Sequence, residues 1–281
     1  MKNELANIIA VIGPTASGKS DLAVELALKN NGEVVSVDSR QVYKNLDIGT
    51  GKITEKETKG VKHHMLSVYD ISEDISVAKF VEDTLPIIED ILNRKKIPIL
   101  CGGSGQYMYA LIYKQEFPKI LSNKNIRNEL ENLSTEELFS KLEKLDKTRS
   151  EKIDKNNRVR LIRALEILLS GGIIKDNSNP KKRFNVTFYN TEIDRKKLKE
   201  NIANRLEKRL KEGMLDEGKK VFELNLSDHE IKRLGIEYFA MCKYFKKEIN
   251  EEEMKDLIKR ESYKYAKRQM MWNKKYFPIK N

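Results

Sequence analysis

Two cysteines, Cys101 and Cys242, are all the thiol that this 281-residue chain carries. They are too few for a disulfide framework or a four-ligand zinc site. Long apolar runs are also missing: stretches such as Ile8–Ile12 and Ile97–Cys101 are only of strand length, whereas a bilayer crossing needs about 18–20 consecutive apolar residues. The opening MKNELANII lacks the basic-then-apolar layout of a secretory leader. No internal repeat or low-complexity tract interrupts the chain. These absences exclude a disulfide scaffold and a membrane partner, and they point to a cytoplasmic protein in a reducing compartment.

What is abundant is positive charge. The net charge of +11 is unevenly spread, at −2 over residues 1–113, +4 over 114–194 and +9 over 195–281. A nearly neutral first third followed by a basic body suits a polyanionic partner, although lysine-rich composition alone produces the same excess.

The first third alternates short apolar runs with helical periodicity. Strands are predicted at Ile8–Ile12, Glu33–Val37 and Ile97–Cys101, with a short one within His64–Tyr69. Helices are predicted at Lys19–Lys29, at Ser76–Asn93 with a kink at Pro86, and at Gln106–Tyr113. Such alternation predicts an α/β fold with a doubly wound parallel sheet. From Phe117 the pattern turns helical. Ser134-Thr135-Glu136-Glu137 reads as a capping box, and a helix from Asn157 to Ser170 stops at Gly171-Gly172. Phe184–Tyr189 alternates like a strand that rejoins the sheet, and the rest is helical to about Lys275. The implied organisation is a catalytic core at 1–113, a helical insertion at 114–183, and a returning strand with a basic helical region at 184–281.

Gly13-Pro14-Thr15-Ala16-Ser17-Gly18-Lys19-Ser20 fits the phosphate-binding pattern G-x-x-x-x-G-K-[ST] between a predicted strand and helix. Its glycines permit a tight turn of inward-facing amides at a helix N-terminus. Lys19 supplies a cation to phosphate oxygens, and the Ser20 hydroxyl is the expected Mg²⁺ ligand. Such a cradle accepts any diphosphate or triphosphate, so kinase, ATPase and diphosphate-leaving-group chemistries all stay open. The second strand delivers Asp38-Ser39-Arg40-Gln41 to the carboxyl edge of the sheet, where doubly wound folds bind ligands. Asp38 can serve as a base or anchor a Mg²⁺-bound water, or simply cap a turn. Gln41 offers the donors and acceptor that match the edge of a base. Gly102-Gly103-Ser104-Gly105 follows a later strand and reaches the same edge, with the Ser104 hydroxyl free to meet a phosphate ester.

The blocks GPTASGKS, DSRQVYKNLDIGTGK, HHMLSVYDIS, PILCGGSGQYMYAL, NRVRLIRALEILLSGG and AKRQMMW occur in this order from about residue 8 to 276. Together they resemble the tRNA dimethylallyltransferase (tRNA isopentenyltransferase) family, with its P-loop NTPase-like core. The resemblance implies that the loop from Gly13 to Ser20 holds dimethylallyl diphosphate instead of ATP. The adenosine immediately 3′ of the anticodon would be flipped in and prenylated on N6. It assigns Asp38 as the base that takes the amine proton, with Lys19 and Mg²⁺ on Ser20 stabilising the leaving diphosphate. Ser104 stands where the family usually has Thr, bonding the donor's ester oxygen. The tRNA anticodon stem-loop would meet Asp38, Ser39, Arg40, Gln41 and Ser104. It would also meet the block Arg158, Val159, Arg160, Leu161, Ile162 and Arg163, with Arg127 in the preceding helix. Arg160 and Arg163 share a helix face at i,i+3, and a ladder with Glu166 is the competing role for Arg163. His63 and His64, adjacent in a strand, point to opposite faces and read as structural. Arg268 and Gln269, near Trp272, either support the core or border the site.

Two blocks depart from the family. Gly235-Ile236-Glu237-Tyr238 replaces the usual G-Y-[RK]-E, and Met271-Trp272-Asn273-Lys274 replaces T-W-x-R. The arginine that the family would give to the diphosphate is therefore missing there, and Arg233 is the expected substitute. The other readings are a P-loop small-molecule kinase, a free-adenine-nucleotide isopentenyltransferase and a non-catalytic RNA-binding protein. The basic insertion favours tRNA, and a monomer is expected.

Overall fold

The computed structural model describes residues 4–118, 120, 123–177 and 179–277. The chain divides into two compact units: residues up to Tyr113 together with those from Lys182 onward, and Lys114–Lys181.

The first unit is built on a five-stranded, wholly parallel sheet of order β3-β2-β4-β1-β5, comprising β1 (Asn7–Ile12), β2 (Gly32–Ser36), β3 (His63–His64), β4 (Ile97–Cys101) and β5 (Asn185–Asn190). Ile8–Ile12, Val34, Val35, Ile99 and Leu100 are buried, as expected of central strands covered on both faces. The outermost strand, β5, alternates in exposure along its length and pairs with β1 from Asn7–Asn185 to Ile12–Asn190. Helices α1 (Lys19–Lys29), α2 (Glu55–Thr58), α3 (Val77–Asn93) and α4 (Gly105–Ile112) fill the connections of the first half. Pro86 lies inside α3, which continues on both sides of it. The short strand expected within His64–Tyr69 forms at His63–His64 and stops there. Met65 and Ser67 adopt φ of 61° and 53°, which an extended strand cannot accommodate, and only an isolated Tyr43–Tyr69 bridge continues the pairing.

The second unit is helical, with α5 (Lys124–Glu131), α6 (Thr135–Leu145), α7 (Lys147–Ser150) and α8 (Arg158–Leu169). The capping box forms as the sequence suggests: the Ser134 hydroxyl accepts from the Glu137 amide, and the Glu137 carboxylate accepts from the Ser134 amide. Leu130, Leu138, Leu142, Leu161 and Leu165 make its core.

Returning to the first unit, α9 (Arg195–Lys211), α10 (Met214–Glu223), α11 (Asp228–Leu234), α12 (Ile236–Phe245) and α13 (Glu251–Tyr276) complete the chain. Gly213, with φ of 98°, makes the left-handed turn between α9 and α10. No helix among the described residues is long and apolar enough to cross a membrane.

Candidate active site

The carboxyl ends of β1, β2 and β4 open onto a cleft of about 560 Å³. Between β1 and α1 the chain needs conformations that few residues adopt. Gly13 has φ of 149°, and a Cβ there would collide with the Thr191 hydroxyl. Gly18 has φ of 83° and heads α1 with no side-chain cap, so the first amides of that helix are left for a ligand. Ser17 Oγ donates to the Pro14 carbonyl at 2.8 Å and lies 2.5 Å from Thr191 Oγ1; Asn201 Nδ2 donates to the Ala16 carbonyl at 3.0 Å. Lys19 Nζ donates to the Pro14 carbonyl at 2.5 Å. Desolvation in the cleft lowers the Lys19 pKa, while the charges of Cys101 and Asp38 act in the opposite direction. Ser20 is exposed and lines the cleft beside it.

Asp38 follows β2 and lines the same cleft. Its Oδ1 accepts from the amides of Arg40 at 2.9 Å and Gln41 at 3.4 Å, which fixes the turn and leaves Oδ2 without a hydrogen-bond partner among the described residues. Gln41 accepts from Ser36 Oγ at 3.2 Å and donates to the Gly51 carbonyl at 3.1 Å, so its amide is oriented. Ser104 ties the turns together. Its Oγ accepts from the Ser39 amide at 2.9 Å and donates to Ser39 Oγ at 3.2 Å. Neither Ser39, Arg40 nor Ser104 lines the cleft itself. Arg40 instead lies over the Tyr265 ring, 5.5 Å from its centroid, and Tyr265 lines the cleft.

Gln269 resolves the choice left open by the sequence by doing both jobs. It is 6% exposed, its Oε1 accepts from the Thr15 amide at 2.7 Å, and its Nε2 donates to the Gly103 carbonyl at 2.9 Å. A Cβ on Gly103 would overlap the Gln269 amide, so a larger residue there would displace that side chain. Arg268 also lies over the Tyr265 ring, 5.8 Å from its centroid. Trp272 packs against Tyr276 with centroids 4.5 Å apart.

The basic wall of the cleft comes from α9. Arg205 donates to Thr15 Oγ1 at 3.1 Å and to the Thr50 carbonyl at 3.5 Å. Arg209, 7% exposed, donates to the Gly49 carbonyl at 3.2 Å and meets Glu237 at 3.4 Å, while its Nη2 is buried without a hydrogen-bond partner. Burial lowers the Arg209 pKa, with Glu237 opposing that shift. A buried guanidinium nitrogen lacking an acceptor, beside a phosphate loop, is a donor suited to an anion. Neither arginine stands out in the sequence. Their signal is the i,i+4 series Asn201, Arg205 and Arg209 on one face of α9.

Arg233, the expected substitute, is engaged elsewhere. It donates to the carbonyls of Glu73 and, at 2.7 Å, Ile71, and it lies over the Tyr43 ring. It does not line the cleft. His63 Nδ1 lies 2.8 Å from the Val61 carbonyl, whereas His64 Nε2 lies 2.8 Å from the buried Glu33 carboxylate.

In the helical unit, Glu166 is fully buried and draws the arginines inward. Arg163 Nη1 reaches it at 2.7 Å and Arg127 Nη2 at 3.2 Å, and the Asn123 amide donates to it at 2.7 Å. Arg163 also donates to the Ile120 carbonyl at 2.9 Å, so the ladder reading describes its contacts. Arg158 donates to the carbonyls of Leu133 and, at 2.6 Å, Glu131. Leu161 and Ile162 point into the core and present no side chain to a ligand. Val159, 77% exposed, and the exposed Arg160 form the free edge of α8.

The family model for IPP transferase matches residues 41–276. A tRNA dimethylallyltransferase of Acetivibrio thermocellus is 37% identical over 279 residues, covering 96% of this chain and 89% of the relative. One from Clostridioides difficile is 37% identical over 277 residues, covering 96% and 89%. The crystal structure of the full-length tRNA isopentenylpyrophosphate transferase of Bacillus halodurans is similar with a TM-score of 0.70 and 36% identity, covering 95% of this chain and 86% of its own. A eukaryotic dimethylallyltransferase acting on tRNA is similar with a TM-score of 0.80 and 27% identity, covering 95% and 70%.

Proposed function

The chain belongs to the IPP transferase family, and on that premise we propose that it transfers a dimethylallyl group from dimethylallyl diphosphate to tRNA. The acceptor is N6 of the adenosine immediately 3′ of the anticodon, and diphosphate leaves. The observation that carries this reading is the meeting of three unlike elements in one cleft: the phosphate loop, the arginines of α9, and the carboxylate of Asp38.

The exocyclic amine of adenine is a weak nucleophile because its lone pair is delocalised into the ring. Asp38 takes the amine proton as the new C–N bond forms, using the oxygen left free by the turn. Charge accumulates on the departing diphosphate as the C–O bond breaks, and the amides heading α1, Lys19, Arg205 and Arg209 stabilise it. Gln41, with its amide held, supplies donors and an acceptor to the base. The donor set also fits Mg²⁺. Ser20 offers one hydroxyl to the cleft that Asp38 also lines, and no group of three metal-binding side chains occurs among the described residues. That matches an ion held largely by waters and phosphate oxygens. Bound there through Ser20, it would neutralise diphosphate charge. Arg160, at the free edge of α8, is available to the tRNA backbone. A cytoplasmic location fits a tRNA substrate.

This donor assignment is tested by kinetics with purified protein. Transfer requires Mg²⁺ and no ATP, and inorganic diphosphate competes with dimethylallyl diphosphate. Strict dependence on ATP would refute the assignment of the loop.

A further inference from the structure

The rim Asp47-Ile48-Gly49-Thr50-Gly51 is gripped through its backbone from both sides. On one side Glu217 of α10 gathers consecutive amides. Its Oε2 accepts from Asp47 N at 2.8 Å and Ile48 N at 2.9 Å, and its Oε1 accepts from Gly49 N at 2.8 Å. The same Oε1 accepts from the hydroxyl of fully buried Tyr238 at 2.6 Å. On the other side, three successive carbonyls each hold a different cleft side chain: Gly49 holds Arg209 at 3.2 Å, Thr50 holds Arg205 at 3.5 Å, and Gly51 holds Gln41 at 3.1 Å. The rim packs closely against its neighbours. A Cβ on Gly49 would lie 2.7 Å from the Tyr238 ring, and Gly51, with φ of 60°, abuts both guanidinium groups.

We propose that Glu217 is a positioning residue of the transferase, with Tyr238 as its support. It sits one shell behind the cleft and lines none of it. By fixing three amides it fixes the three carbonyls that aim Arg205, Arg209 and Gln41. Diphosphate binding and base recognition therefore depend on one carboxylate. Tyr238 lies in the Gly235–Tyr238 block that departs from the family pattern, and its neighbour Glu237 meets Arg209. This block thus serves the rim and its arginine. The inference rests on the transferase reading of the cleft.

The test uses the full chain. Glu217→Gln keeps the shape but turns an NH₂ group toward the rim amides. Catalytic efficiency for both dimethylallyl diphosphate and tRNA falls about tenfold, the cost of one charge-assisted hydrogen bond, mainly through KM. Calorimetry with inorganic diphosphate shows a similar rise in Kd. Tyr238→Phe removes one of the four bonds to Glu217, shifts the same quantities by about threefold, and carries the test should the first variant fail to fold. Positioning is separated from stability by a double-mutant cycle with Arg205→Ala: combined losses in diphosphate binding are smaller than the sum of the single ones. Additive losses overturn the proposal. So does a Glu217→Gln protein that melts earlier yet binds diphosphate like wild type. Wild-type protein that transfers no dimethylallyl group refutes the transferase reading, whereas unchanged diphosphate affinity in the variants refutes the positioning role alone.

Discussion

Gln269 and Thr15 are 254 residues apart in sequence, and the side-chain oxygen of the first accepts the backbone amide of the second at 2.7 Å. The last helix thereby fixes the phosphate loop, and through the Gly103 carbonyl it fixes the neighbouring turn as well. Replacing Gln269 by Glu keeps the acceptor for Thr15, removes the donor to Gly103, and adds negative charge beside the diphosphate. The KM for the donor rises by about tenfold, the scale of a hydrogen bond to a charged group, while kcat changes less. Steady-state kinetics at saturating tRNA check this.

Asp38→Asn separates chemistry from architecture. The Asn side-chain oxygen still caps the amides of Arg40 and Gln41, so the turn is retained, but the proton acceptor is gone. The rate falls by roughly 10²–10⁴-fold, with tRNA affinity and melting temperature nearly unchanged. Single-turnover rates beside a filter-binding titration measure both. Near-normal turnover would return Asp38 to a capping role.

On the helical unit two arginines of one helix face have opposite surroundings. Arg160 is exposed, whereas Arg163 pairs with the buried Glu166. Arg160→Ala flattens the slope of log K against log salt for tRNA by about 0.7–0.9 and leaves the melting temperature unaltered. Arg163→Ala costs about 1–3 kcal/mol of stability by stripping a partner from a desolvated carboxylate. Salt titrations of tRNA binding and thermal melts on both variants decide it.

At the far end of β2, Glu33 is 2% exposed and bonds Arg94, Lys96 and His64. The Arg94 hydrogen bonds foremost hold its carboxyl well below the usual value of 4.5, against the opposing effect of burial. A depressed folded-state pKa means that the unfolded chain takes the proton first. The stabilisation is complete above the ordinary carboxylate pKa and is lost as pH falls below it. Glu33→Gln therefore melts lower than wild type at neutral pH, and the two curves converge as pH drops below about 4.5. Melting temperature against pH for the pair gives the answer.

The phosphate loop and Asp38 were legible in the sequence because local chain geometry sets them: an apolar strand, a glycine, and the start of a helix. The sequence leaves Gln269 as either a core support or a neighbour of the site, since its partners lie on two distant turns. Arg205 and Arg209 were hidden among six other basic residues of α9, a composition that also describes a solvated helix. What distinguishes them is the docking of α9 against the carbonyls of Gly49 and Thr50, a long-range fact. Arg233 stands in the sequence near the place of a missing family arginine, yet the carbonyls of Ile71 and Glu73 claim it. Likewise Arg163 fits an RNA-facing pattern until the depth of Glu166 is known.

The central claim is that one cleft joins a dimethylallyl diphosphate to an adenosine of tRNA. Its most direct measurement incubates the protein with unmodified tRNA, Mg²⁺ and isotopically labelled dimethylallyl diphosphate, then digests the tRNA and weighs its nucleosides. The label should appear in N6-isopentenyladenosine from the position immediately 3′ of the anticodon, and a parallel incubation with AMP in place of tRNA should give little or no labelled nucleotide. Label absent from the tRNA, or present only in free adenine nucleotide, would contradict the claim.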